Sequence, residues 1–305
     1  MTTHPRILAE FRRPWLLAPG ALQDLYDIAM RAHAPDFERA AQIAADRAGR
    51  ARAANLLSRR RGIAVLPIHG PIFPRANLFT EISGATSIDR LTAAFREARA
   101  DKDIAGIVLD IDSPGGAVTG VSEFAAMVRA SSKPVVAYAG GMMASAAYWI
   151  GSAAHSIAVA DTSWSGSIGV ASMYYIDDDA SVVEVVSTQS PLKRKDVRTD
   201  EGRAIAQRHV DELADVFIGA VAQYRGLTPQ FVREQFGKGD VLIGHAAERI
   251  GMADSVSTFE DMIRGARNTV TSAEKEPLPP FATLIHAHGY DRAAAMVAEY
   301  YAARS

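Results

Sequence analysis

Between residues 63 and 187 the chain alternates apolar runs of strand length, at 63–68, 104–111, 134–139, 156–160 and 182–187, with helical stretches at 88–100, 118–130 and 146–153. Two strands of one sheet joined through a helix run parallel, and the connection is right-handed. The order therefore predicts an α/β fold built on mainly parallel sheets. Two more helices are expected beyond it: a long amphipathic one over 200–225, opened by acidic residues, and a shorter one over 228–236, started by Thr228 and Pro229. The stretch 274–280 reads as a linker to a last helical segment at 290–303. A chain of 305 residues, 48% hydrophobic and 22% charged, can bury one large core with small appendages.

The punctuation of these runs carries the chemistry. Gly140-Gly-Met-Met-Ala-Ser-Ala-Ala-Tyr-Trp-Ile150 reads as a glycine turn that delivers Ser145 onto the first turn of an apolar helix. A helix start carries partial positive charge and unpaired N–H groups, which favour an alkoxide and an adjacent oxyanion; the same serine is also an ordinary N-cap residue. Upstream, Ile104-Ala-Gly-Ile-Val-Leu-Asp-Ile-Asp-Ser-Pro-Gly-Gly116 is a strand that stops abruptly at Ser113-Pro-Gly-Gly116, where consecutive glycines allow an anion-binding nest or simply a tight turn. Downstream, Ser163-Trp-Ser-Gly-Ser-Ile-Gly-Val170 sets small hydroxylated residues and glycines between apolar segments. Three unrelated turns would have no reason to occur in this order.

The order resembles the signal peptide peptidase (protease IV) family of serine peptidases. The resemblance runs over about residues 62–256, through Ile63-Ala-Val-Leu-Pro-Ile-His-Gly70, Asp112-Ser-Pro-Gly-Gly116, Met143-Ala-Ser-Ala-Ala-Tyr-Trp149, Gly166-Ser-Ile-Gly-Val170 and Gly244-His-Ala-Ala-Glu-Arg-Ile-Gly-Met-Ala-Asp254. Ala-Ala-Tyr-Trp within the third motif, and Phe11-Arg-Arg-Pro-Trp-Leu-Leu17 near the start, look like the phage branch of minor-capsid and head-maturation peptidases. The resemblance implies a crotonase-like superhelix of ββα units, as in the Clp peptidase, and a serine–lysine dyad with Ser145 as nucleophile. By the same resemblance Gly116 and the Ala146 amide form the oxyanion hole, and Ser167 orients the lysine amine. The second oxyanion donor follows the nucleophile directly, where donors aim at the developing charge.

The dyad needs a lysine, and the chain has six against 27 arginines, which do not deprotonate at usable pH. Lys193 and Lys195, in Ser190-Pro-Leu-Lys-Arg-Lys-Asp-Val197, lie where the family places its base. Lys193 fits the phage alignment without a gap; Lys195, in a Lys-Asp pair, fits the cellular enzymes and is the alternative base. A lysine acting near neutral pH needs its ammonium form destabilised, as burial does. His69 and His155 are rival bases near the site, but no acid-containing motif positions them. No cysteine, His-x-x-x-His or Glu-x-x-His pair suggests a metal, and none is expected, nor any cofactor.

Absence of cysteine agrees with a reducing cytosol, and a net charge of −2 gives no reason to expect nucleic acid as partner. No segment reaches the roughly 18–20 apolar residues of a membrane span, and the start lacks a signal-peptide core, so no stable membrane anchor is expected. The expected place is the cytoplasm of a bacterial host, or a phage prohead. Residues 1–61 carry 11 arginines against six acids and are helical in pattern over 22–32 and 36–57, which predicts a basic helical arm, either solvated or docking on a neighbouring subunit or an acidic capsid surface. Residues 62–270 are the expected peptidase domain, and 271–305 the linker and C-terminal helix. A ring-like homo-oligomer acting on a capsid or scaffold polypeptide is expected. The alternatives are an assembly factor with a vestigial or self-cleaving site, and a crotonase-type acyl-coenzyme A enzyme, which would explain Gly116 but give Ser145 no task.

Overall fold

The computed structural model describes residues 14–18, 21, 57–60, 62–76, 85–174, 186–193 and 195–271. Along the chain these form β1 (Trp15–Leu17), β2 (Ser58–Arg60), β3 (Ile63–His69), β4 (Ile72–Phe73), β5 (Thr86–Ser87), α1 (Ile88–Ala100), β6 (Gly106–Ser113), β7 (Gly115–Ala117), α2 (Val121–Arg129), β8 (Val135–Ala144), α3 (Ala146–Ser152), β9 (Ser156–Val159) and β10 (Trp164–Gly166). After a 3-10 turn at Pro191–Lys193 come α4 (Asp200–Arg225), α5 (Pro229–Gln235), β11 (Val241–Ile243), α6 (His245–Arg249), β12 (Ser255–Val256) and α7 (Phe259–Thr271).

The larger sheet has the order β11-β10-β8-β6-β3-β2, with β9 paired to β8 and β12 to β9. Its centre is parallel, β3 to β6 to β8, as the strand–helix alternation predicts. Only the β2–β3 and β10–β11 pairs in it are antiparallel. The side chains of β3 alternate: Ala64, Leu66 and Ile68 enter the main core under α1, α2 and α3, while Ile63 and Val65 join a smaller cluster with Val108, Tyr138 and Met262 beneath α7. Cover on both faces is why β3 over 63–68 and β6 over 106–109 read as apolar runs. A second, four-stranded sheet has the order β1-β7-β4-β5.

Several expectations need adjustment. Gly140 and Gly141 are not a turn but lie inside β8, which runs on to Ala144. Asp112 explains the glycine: its Oδ1 accepts the Met142 amide at 2.9 Å and lies 2.4 Å from where a Gly141 Cβ would be. The chain does leave β6 at Ser113, yet after Pro114 it becomes extended again as β7 in the other sheet. Flanking the helical pattern read at 22–32 and 36–57, residues 15–17 and 58–60 are strands of the two sheets. The helical parts of the N-terminal arm, most of the strand at 182–187, the linker and the segment 290–303 lie outside the described residues. Among the described residues, no helix is long and apolar enough to cross a membrane.

Candidate active site

The β8–α3 junction turns on one residue. Ser145 has φ 54 and ψ −117, a conformation that residues with a Cβ rarely adopt and that costs about 1–3 kcal/mol. The surroundings hold it there. Its amide donates to the Gly166 carbonyl at 2.7 Å, and its carbonyl accepts the Trp149 amide at 2.9 Å as the first bond of α3. That helix has seven residues, all buried, and is held by packing more than by propensity. Trp149 stacks on Phe217 of α4, with ring centroids 4.7 Å apart and planes at 9°, and the Tyr148 hydroxyl donates to the Met252 carbonyl at 3.0 Å. Arg225, buried at the end of α4, donates to the Gly251 carbonyl at 2.9 Å through Nη2 and to Asp254 at 3.1 Å through Nη1, fixing the loop that carries Met252.

The Ser145 hydroxyl is fully buried and has no hydrogen-bond partner among the described residues. Sharp, strained strand-to-helix turns of this kind present nucleophiles in other enzymes. A buried hydroxyl left without a partner costs free energy, so the arrangement is one that stability alone does not favour.

The glycine strand β7 runs directly against it. A methyl group on Gly115, whose φ is 101, would lie 2.1 Å from the Leu16 carbonyl oxygen, 2.9 Å from Ser145 Cβ and 3.0 Å from the Ala144 carbonyl oxygen. One on Gly116 would lie 1.9 Å from the Ile72 carbonyl oxygen. Close backbone approach to Ser145 thus requires glycine at 115. Ala146 is the first residue of α3, so its N–H has no acceptor within the helix. Gly116 and Ala146 are both buried.

Ser167 follows the Gly166 carbonyl that binds Ser145, has φ 53, is 5% exposed and donates its amide to the Asp240 carbonyl at 2.8 Å. It therefore lies in the same neighbourhood on a second strained backbone. The lysines are placed differently. Lys193 is exposed at the end of the 3-10 turn, and Lys195 is half-buried, its Nζ 2.9 Å from Nδ1 of His209 on α4. Asp196 turns to Arg198, with contacts of 2.8–3.1 Å that pull its carboxyl down to about 2. Neither lysine is hydrogen-bonded to Ser145. His209 had no signal in the sequence, since its role appears only where α4 folds back beside residue 195.

The rival histidines separate by environment. His155 accepts the Val135 amide on Nδ1 at 3.0 Å, and burial, aided by Arg129, holds its pKa below the ordinary value. His69 does have an acid: Asp110 Oδ2 lies 3.4 Å from its Nε2 and raises its pKa through a hydrogen bond and its charge. Both histidines tie neighbouring strands together, and neither bonds to Ser145.

Comparison with known proteins gives the same site motifs a family. Residues 127–272 match peptidase family S49, and residues 78–160 match the Clp protease family. The capsid assembly protease C of Escherichia phage lambda is 33% identical over 220 residues, covering 68% of this chain and 49% of that protein. Protease 4 of Salmonella typhi is 30% identical over 67% of the chain and 34% of its own length. The head-tail preconnector protein GP5 of Enterobacteria phage P21 is 32% identical over 71% of the chain and 45% of its own length. The matches therefore span about half or less of these relatives. The parallel sheets, the helices on them and the Clp match define a Clp/crotonase-like α/β fold. Over residues 127–272, which hold Ser145, Ser167 and both candidate lysines, the chain belongs to peptidase family S49.

Proposed function

We propose that the chain is a serine endopeptidase of the serine–lysine type, and that it processes capsid or scaffold polypeptides of a phage or prophage. The observation that carries this reading is Ser145: a strained residue at a strand-to-helix turn, its buried hydroxyl without a partner among the described residues, pressed against a glycine strand. In the reaction the Ser145 Oγ attacks the scissile carbonyl and the amides of Gly116 and Ala146 hold the oxyanion. The lysine, Lys193 on the phage alignment, takes the serine proton and returns it to the leaving amine; Ser167 orients the lysine. The lysine has yet to reach Ser145, which agrees with catalytic hydrogen bonds that tighten only with substrate bound. Phage substrates are favoured by the names of two relatives, a capsid assembly protease and a head-tail preconnector protein.

Purified protein incubated with unfolded casein should give internal cuts, read by mass spectrometry. Lys193→Ala should lower turnover by several orders of magnitude, as loss of an activating base does, and Lys195→Ala far less. The reverse ranking would move the base to Lys195. No cleavage by the wild type, with casein or with capsid proteins, would leave the assembly-factor reading.

A further inference from the structure

We propose, resting on the peptidase reading, that β1 is an internal stand-in for substrate: it occupies the strand position that a substrate chain takes beside Ser145, and substrate must displace it. β1 pairs antiparallel with the glycine strand, with Leu16 opposite Gly116 and Leu17 opposite Gly115. Trp15 spends its amide and carbonyl on Ala171, at 2.8 and 2.9 Å, on the far side, while the Ala18 amide donates to the Pro114 carbonyl at 2.8 Å. Alternation along an antiparallel ladder then makes Leu16 the residue that exchanges hydrogen bonds with Gly116. The Gly116 amide, the donor assigned to the oxyanion, thus faces a peptide carbonyl from this chain's own N-terminal region. The same carbonyl and Ser145 Cβ both lie within contact of the space that one Gly115 methyl would fill.

An extended segment clamped between two backbones, its carbonyl facing the oxyanion donor and lying close to the nucleophile's Cβ, has the geometry of a bound peptide. Strand addition of this kind takes affinity from backbone hydrogen bonds and specificity from alternate side chains. In β1 the side chains on both faces are large and apolar. Trp15 is 1% exposed and meets Phe73 edge-on at 5.6 Å, and Leu16 is fully buried. The substrate class that can replace it is an extended segment with bulky apolar residues at two successive positions. β1 is three residues long, a small element to dislodge.

The natural chain has no cysteine, so a lock can be introduced cleanly. Trp15 and Ala117 face each other as a pair that does not exchange hydrogen bonds, with side chains closest there. The full chain carrying Trp15→Cys and Ala117→Cys is oxidised to hold β1 in place, then reduced, and casein cleavage and binding of a labelled casein fragment are measured in both states. The proposal expects at least a tenfold loss of cleavage and binding on oxidation, restored by reductant. Equal cleavage in both states overturns it and leaves the peptidase reading standing. Absence of both cleavage and binding in the reduced protein and in the wild type overturns both. A second measurement needs no change in β1: in Ser145→Ala protein, hydrogen exchange at the Trp15 and Ala18 amides should quicken at least tenfold under excess unfolded casein, while β3 stays protected. Protection that persists with casein bound refutes displacement.

Discussion

Ser145 combines two costs, a backbone in glycine's territory and a buried hydroxyl with no partner among the described residues. Ser145→Ala removes the second cost, so it should be at least as stable as the wild type, by about 1 kcal/mol, and Ser145→Gly should relieve the backbone as well. Denaturant midpoints check this; a clear loss of stability in both would mean that the hydroxyl is bonded in solution. The serine was legible in sequence because the motif around it has a fixed order. Gly115 was not singled out, because its role depends on backbone atoms of residues 16 and 144 that only the fold brings together. The base stayed open for the same kind of reason. Lys193 and Lys195 are two positions apart, and the contact to His209 depends on how α4 lies.

The strand–helix alternation gave the parallel sheet, and helices at 88–100 and 200–225 match α1 and α4 end to end. Short strands were missed: β7, β10, β11 and β12 are three residues or fewer, too short for periodicity to register. Trp15-Leu-Leu17 served as a mark of the phage branch, and its pairing with β7 could not be read from three apolar residues. Two inter-strand ties predict opposite pH responses. His69 bonded to Asp110 has a raised pKa, so its contribution to stability is complete below its ordinary value near 6.5 and fades as pH rises through the folded value. His155, held neutral by burial and the nearby Arg129 charge, has a lowered pKa, so its contribution is complete above about 6.5 and is lost as pH falls through the folded value. Imidazole NMR titration should place His69 above and His155 below 6.5; a reversed order would contradict both environments.

At the scale of the molecule, the expected homo-oligomer can be tested directly. Trp164 and Ile243, register partners on β10 and β11, are 46% and 50% exposed at the margin of the large sheet. The full chain should scatter light as a homo-oligomer, and removal of residues 1–61 should shift it towards monomer and change its peptidase activity, since β1 and β2 leave both sheets with it. A monomeric, fully active full-length protein would contradict the oligomer. The central claim is that Ser145 is the nucleophile. Cleavage of unfolded casein by wild-type protein and by Ser145→Ala, under one set of conditions and with folding verified by near-UV circular dichroism, tests it most directly. Internal cuts by the wild type and none by the folded variant are the predicted result, and equal cleavage by both would remove Ser145 from the chemistry.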